Sequence, residues 1–143
     1  MSVSLRRSAL ALAATATALA GAFTAPASAQ PRVEAPIAAR ANAPTVSPAV
    51  STFHTSSGSI TCDSGYLCAA VPDPTTGDYK VFLFYKCSTY SLSYWHGTGV
   101  YADSQTGSPT TYFYGSSGNV LKQFKPPAQG SYNWDPVYKI KPC

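Results

Sequence analysis

The side chains with the most specific chemistry in this 143-residue chain are its four cysteines: Cys62, Cys68, Cys87 and Cys143. Four thiols in an exported protein predict disulfides. Zinc is the competing ligand, but no Cys-x-x-Cys pair is present, and only His54 and His96 could complete a ligand set. We therefore expect two disulfides, no metal site and no cofactor.

Three pairings of these cysteines are possible, and the surrounding sequence favours Cys62 with Cys68 and Cys87 with Cys143. The first pair flanks Asp63-Ser64-Gly65, a turn sequence that could bring the two sulfurs together. The second pair would fix the last residue of the chain to an apolar strand. The loop-entropy relation gives about 2.4 kcal/mol for the short loop and about 4 kcal/mol for the long one, a large fraction of a small domain's stability.

Groups that could act in catalysis are present only as isolated residue types. No serine lies in a Gly-x-Ser-x-Gly turn that would expose it as a nucleophile. His54 lies in a polar segment and His96 beside Trp95, and each is expected to be a surface or hydrogen-bonded side chain and not a base. The carboxylates that could form a glycosidase pair all lie in turn-like sequence: Asp63, Asp73, Asp78, Asp103 and Asp135. We therefore expect no catalytic residue and no enzyme activity.

The N-terminal part of the sequence predicts how the folded part is delivered. Residues 1–29 contain a positively charged start, a short apolar stretch and Ala27-Ser28-Ala29 as a cleavage site, which together indicate a signal peptide. Residues 30–51 have a proline every few positions and no regular apolar period, which predicts a disordered linker or pro-segment. The folded domain is expected over residues 52–143 of a secreted, extracellular protein.

The charge of the folded part excludes two classes of partner. From residue 51 onward six lysines stand against five aspartates, and neither Arg nor Glu occurs. A domain so close to neutral gives no electrostatic reason to bind nucleic acid or an anionic membrane. We expect neither of these partners, and we expect a monomer.

The elements that position these residues are short strands. The sequence after residue 51 is rich in Tyr, Phe, Val, Thr, Ser and Gly and has no run with helical periodicity. Strands are predicted at seven places: residues 59–62, 66–71, 79–87, 99–102, 110–114, 120–124 and 137–141. Turn residues separate these segments, and seven strands at spacings near ten residues predict an all-β, disulfide-stapled β-sandwich with Greek-key connections.

Aromatic side chains are more numerous than a core of this size can bury. Seventeen lie between Phe53 and Tyr138, so some must be exposed. Tyrosines can cover a sheet with their hydroxyls in water, or they can form a contact surface for sugar or protein. The densest group lies in a loop-like segment and is the candidate contact surface: Tyr90, Tyr94, Trp95 and His96.

Short motifs over residues 58–143 resemble those of small secreted proteins grouped with the streptomycete metalloproteinase inhibitor. The matching segments are Cys62 followed by Gly65-Tyr66-Leu67-Cys68, Phe82-Leu83-Phe84-Tyr85, residues 90–99, and Gln105-Thr106-Gly107. The resemblance implies a βγ-crystallin-like fold of two Greek keys and inhibition of a thermolysin-like zinc protease. The segment 103–108 keeps only the first and last positions of the crystallin calcium signature, so no calcium site is expected, and the inhibitory bond has no assigned position.

These observations lead to one functional hypothesis and one alternative. The leading hypothesis is a secreted peptidase inhibitor, with a metalloprotease as its partner, which presents rigid loops from the sandwich. The candidate loops are residues 71–79 and 102–110. The alternative is a carbohydrate- or cell-wall-binding module whose exposed aromatics contact a polysaccharide.

Overall fold

The computed structural model describes residues 41–143. Within this range the chain forms ten strands and no helix: β1 (Thr45–Ser47), β2 (Ser51–Thr55), β3 (Leu67–Asp73), β4 (Asp78–Phe84), β5 (Tyr90–Ser93), β6 (Thr98–Asp103), β7 (Thr111–Tyr114), β8 (Val120–Phe124), β9 (Ala128–Asn133) and β10 (Lys139–Lys141). The expected signal peptide and residues 30–40 of the expected linker lie outside the described residues.

The strands form two five-stranded sheets in which all hydrogen-bonded neighbours are antiparallel. The first sheet has the order β1-β5-β10-β7-β8, and the second has the order β2-β4-β3-β6-β9. One core contains buried side chains from both sheets, so the sheets pack face to face in a sandwich-like arrangement. The predicted all-β class is confirmed, and so are its two disulfides, Cys62–Cys68 and Cys87–Cys143.

Trp134 lies at the centre of this core and is fully buried. Its ring packs against Trp95, Phe113 and Tyr132, with centroid separations of 5.1, 5.3 and 5.7 Å. Its indole N–H donates to the backbone carbonyl of Ala70 at 2.9 Å. A buried indole N–H is costly without an acceptor, so this bond fixes the orientation of the ring that the other aromatics surround.

The connection between β2 and β3, residues 56–66, lies over the outer face of the second sheet, and we call it the covering segment. Ile60, Cys62 and Tyr66 pack there against a small buried cluster that includes Cys68 and Ala70. The Cys62–Cys68 disulfide closes this segment onto β3. The sheet therefore has apolar side chains on both faces, which explains why β3 is almost completely buried.

The observed strands agree with most of the predicted ones. Six of the seven predicted segments overlap an observed strand: β3, β4, β6, β7, β8 and β10. The predicted strand at 59–62 is wrong, because these residues belong to the covering segment and not to a sheet. Four strands were not predicted: β1, β2, β5 and β9.

The segment expected to be a linker contributes to the fold. β1 lies within this segment and pairs with β5, and β2, which begins at Ser51, pairs with β4. The carbonyl of the buried Pro44 accepts a hydrogen bond from Lys80 Nζ at 3.1 Å, and the carbonyl of Thr45 accepts one from Trp95 Nε1 at 3.0 Å. The folded part therefore begins before residue 52. Pro44 and Pro48 lie directly before and after β1, so they do not interrupt its pairing with β5.

Candidate functional site

Two of the four residues of the predicted contact surface are core residues. Tyr90 is 2% exposed and Trp95 is 3% exposed. The Tyr90 ring packs edge-on against Phe84 at 4.9 Å, and its hydroxyl donates to the carbonyl of Lys86 at 3.1 Å. The first half of the segment is a strand, β5, in which Tyr90 and Leu92 alternate inward, so Tyr90 faces the core. Tyr94, Trp95 and His96 lie in the connection between β5 and β6.

The other two residues of that surface, Tyr94 and His96, are exposed to solvent and not packed in the core. Tyr94 is 51% exposed and has a positive φ of 62°. His96 Nδ1 lies 3.3 Å from Asp135 Oδ1, and the same oxygen accepts the backbone N–H of Gly97 at 3.1 Å. The Gly97 N–H, with help from His96, lowers the pKa of Asp135. The four predicted residues therefore form no common surface.

At the other end of the sandwich the structure concentrates its cross-links. β3 begins there at Leu67, which is paired with both Phe84, the end of β4, and Asp103, the end of β6. Cys68 is the second residue of β3, and its disulfide holds the covering segment. The Cys87–Cys143 disulfide joins the chain after β4, in the second sheet, to the chain after β10, in the first. We call this region the stapled end.

The stapled end carries the connection between β6 and β7, the 104–110 loop. The buried Asp103 at its start accepts two hydrogen bonds on Oδ1, from the backbone N–H and the side-chain amide of Gln105, each at 3.1 Å. Its Oδ2 lies 2.9 Å from the hydroxyl of the buried Thr111, at the far end of the loop. That hydroxyl also lies 3.3 Å from the carbonyl of Pro142. One carboxylate therefore connects the two ends of the loop, and the Thr111 hydroxyl that it contacts lies beside the C-terminal segment.

Backbone hydrogen bonds fix the first residue of the loop to the covering segment. Ser104 N–H donates to the carbonyl of Tyr66 at 2.9 Å, and Gly65 N–H donates to the carbonyl of Ser104 at 2.8 Å. The tip is exposed, and Gly107 and Ser108 have φ values of 82° and 54°. A non-glycine residue in the left-handed region persists where its surroundings hold it. The loop is an exposed tip on a firmly held base.

The second loop expected from the sequence, residues 71–79, is mostly strand. β3 extends to Asp73 and β4 starts at Asp78, which leaves a four-residue turn at the opposite end of the second sheet. Asp73 accepts hydrogen bonds from the hydroxyl of Thr75 at 2.6 Å and from its N–H at 2.9 Å, and lies 3.1 Å from His54 Nε2. Burial raises the pKa of Asp73, but the bonds from Thr75 and His54 together outweigh it, so the pKa is lowered. This turn leaves four exposed residues between the two strands, compared with seven residues in the 104–110 loop.

The sequence did not reveal the Asp103 network. Asp103 was interpreted as a turn residue, and Thr111 as a strand residue without a role. The usable signal was an aspartate directly after an apolar strand, followed two residues later by a glutamine whose amide can donate to it. Burial of Asp103 to 2% exposure shows that the carboxylate is a structural anchor.

Two further findings concern metal ligands and membrane-spanning helices in the described residues. All four cysteines are in disulfides. No group of three or more His, Cys, Asp or Glu side chains in residues 41–143 is placed to hold a metal ion. The same range contains no helix long and apolar enough to span a membrane. The two disulfides indicate an oxidising, extracellular environment.

Comparison with known proteins identifies no relative. No protein-family model matches the chain, and neither a curated protein nor a solved structure matches it at a significant level.

Proposed function

We propose that this protein is a secreted peptidase inhibitor that presents the 104–110 loop to the active-site cleft of a metalloprotease. The observation that carries this proposal is the anchoring of the loop. The buried Asp103 carboxylate is bonded to Gln105 and Thr111, so the two ends of the loop are held by one side chain. An inhibitor needs a loop of this kind, exposed at its tip and ordered before it binds.

The free energy of loop ordering explains why the anchoring favours inhibition. Fixing the backbone of one residue costs about 1–2 kcal/mol, so seven mobile residues lose about 7–14 kcal/mol on docking. The loop has seven residues between Asp103 and Thr111. A loop already ordered in the free protein avoids much of this loss, and the saving adds directly to affinity.

The location of the loop also fits a protein partner. Its neighbours at the stapled end are the disulfide-closed covering segment, through Tyr66 and Gly65, and the C-terminal segment, through Pro142. Loops held on a rigid scaffold are the usual position of recognition residues. The opposite end also has exposed features, among them the four-residue turn after Asp73, Tyr94 and the turn between β7 and β8, but neither disulfide lies there.

The choice of a metalloprotease comes from the sequence resemblance, and so does the finer topology. A Greek-key, βγ-crystallin-like path belongs to the proposal, and it is compatible with a chain that crosses repeatedly between two antiparallel sheets. Export by the N-terminal signal belongs to it as well, and the disulfides are compatible with that route.

The test is a titration of protease activity with the oxidised protein. A thermolysin-like metalloprotease, subtilisin and papain are each incubated with increasing inhibitor, and residual activity is measured. We expect stoichiometric loss of activity for the metalloprotease alone. Full activity of all three proteases at micromolar excess of disulfide-intact protein contradicts the proposal.

Two matched variants locate the inhibitory element. Thr106→Glu places a charge at the exposed tip of the 104–110 loop, and Thr76→Glu places the same charge in the exposed turn at the opposite end. We expect the first variant to weaken inhibition by at least about 100-fold, or about 2.7 kcal/mol, and the second to leave it unchanged. Equal effects of the two variants would show that the loop is not the contact.

A further inference from the structure

A concave surface that the 104–110 loop does not line lies beside the stapled end. It is a groove of about 650 Å³ between the β1–β2 connection and the β4–β5 connection. We call it the tyrosine groove. Its size is within the range of small-ligand sites, about 300–1,000 Å³. The side chains that matter for the argument are Ser51, Tyr66, Tyr85, Lys86 and Ser88.

Tyr85 is the most exposed of the large apolar side chains in residues 41–143, at 67%. Its ring lies 5.2 Å from the ring of Tyr66, at an interplanar angle of 43°. Gly65 leaves open space beside the ring, where a Cβ would come within 3.5 Å of the ring edge. The ring is therefore positioned by its neighbours and still open to solvent, as stacking against a ligand requires.

The charge of the groove selects among ligands with a flat apolar face. Lys86 is its one charged lining residue, and no carboxylate lines it. The backbone at Lys86 is held by the Tyr90 hydroxyl, which donates to its carbonyl at 3.1 Å. Ser51 and Ser88 add hydroxyl groups, which can donate to or accept from the hydroxyls of a sugar.

We propose that the tyrosine groove binds an acidic oligosaccharide. A pyranose ring presents a C–H face that can stack on Tyr85, and a carboxylate on the sugar meets the ammonium group of Lys86 without a competing anion in the groove. This site uses none of the residues of the predicted aromatic surface except Tyr90, whose role is to hold the backbone. It is also independent of peptidase inhibition, because the 104–110 loop does not line it.

The experiment is a calorimetric titration of the oxidised protein with a defined oligogalacturonate, compared with the same oligomer after methyl esterification. The ester keeps the ring faces and removes the negative charge. We expect millimolar or tighter binding of the acid, and binding of the ester to be at least about tenfold weaker, which is about 1.4 kcal/mol. The difference should shrink as salt is added, because the pair at Lys86 is exposed.

Three variants assign the binding to this groove. Tyr85→Ala should weaken binding of both oligomers at least about tenfold, and Lys86→Met should abolish the difference between them. Tyr94→Ala, at an exposed tyrosine outside the groove, is the matched control and should change neither. All three side chains are exposed, so each variant should keep the unfolding midpoint of the wild type.

Four results overturn the proposal: no heat of binding at about 10 mM oligogalacturonate, equal affinity for acid and ester, equal loss in the Tyr85 and Tyr94 variants, or tighter binding of an acidic peptide than of the oligosaccharide. None of these results affects the inhibitor proposal. That proposal is tested separately by protease activity and by a variant at the loop tip.

Discussion

The Thr111 hydroxyl is the point at which the anchoring of the 104–110 loop can be tested with the smallest change. Thr111→Val keeps the shape of the buried side chain and removes the oxygen. The hydroxyl lies 2.9 Å from Asp103 Oδ2 and 3.3 Å from the carbonyl of Pro142, and it accepts the side-chain amide of Gln105 at 3.0 Å. The substitution therefore leaves a carboxylate of 2% exposure without one of its partners.

The cost follows from the chemistry of the lost bond. Hydrogen bonds to charged groups contribute about 1.5–3 kcal/mol, and removal of one partner exposes the desolvation cost of the other. We expect Thr111→Val to lower the free energy of unfolding by about 1.5–3 kcal/mol. In a domain of this size each kcal/mol corresponds to about 4–8 °C, so the Tm should fall by at least about 6 °C.

The assay is urea unfolding of the oxidised protein, followed by tryptophan fluorescence, with two comparison variants. Thr110→Val makes the same change one residue earlier, at a half-buried side chain that makes no hydrogen bond within residues 41–143. Thr111→Ser keeps the hydroxyl and should recover most of the loss. If Thr111→Val and Thr110→Val differ by less than about 0.5 kcal/mol, within the usual range of neutral surface changes, the carboxylate network does not hold the loop.

Three further predictions concern other parts of the sandwich. Because the pKa of Asp73 is lowered in the folded state, the contribution of this carboxylate to the free energy of unfolding is complete above its unfolded pKa and is lost as the pH falls through its folded pKa. Between about pH 5 and about pH 2, the urea midpoint should therefore fall more steeply for the wild type than for Asp73→Asn. Gly99→Ala should cost about 3 kcal/mol, because the new Cβ would overlap the backbone carbonyl oxygen of Ala70 and stand 2.6 Å from Trp134 Nε1. Gly58→Ala, with its nearest neighbour at 3.9 Å, should cost little in the same urea assay. Replacement of both cysteines of the Cys87–Cys143 disulfide by serine should lower the free energy of unfolding by about 4 kcal/mol, since the bond spans 56 residues; an unchanged urea midpoint would contradict the entropic account.

Strand positions and cysteine pairing were the parts of this fold that the sequence could predict. β3, β4 and β7 are apolar or alternating runs bounded by turn residues, and Cys62 and Cys68 flank a turn. β1 and β9 could not be predicted, because their sequences do not differ from loop sequence. β1 has only three residues, and β9 contains a glycine. Both are held by their partner strands, and such long-range pairing leaves no local signal.

The candidate site was harder to predict, because burial decides which aromatics are available. Trp95 and Tyr85 are both aromatic residues near the ends of strands, yet Trp95 is 3% exposed and Tyr85 is 67% exposed. Trp95 has a carbonyl acceptor at Thr45, fifty residues earlier in the chain, which no local pattern could reveal. Tyr85 follows the last residue of β4 and packs against Tyr66 in the covering segment. The exposure of its ring therefore depends on how that disulfide-closed segment folds over the sheet.

The clustering of constraints at one end of the molecule has a consequence for function. A small domain has little stability to distribute, and here both disulfides and the buried Asp103 lie where β3 begins and where β4 and β6 end. The opposite end also has a buried carboxylate, Asp73, but neither disulfide lies there. Because Pro142, next to the second disulfide, contacts the same Thr111 hydroxyl as Asp103, loosening the C-terminal segment should also loosen the 104–110 loop. The cross-links thus stabilise the fold and order the loop through the same contacts, an arrangement suited to a loop that must bind without rearrangement.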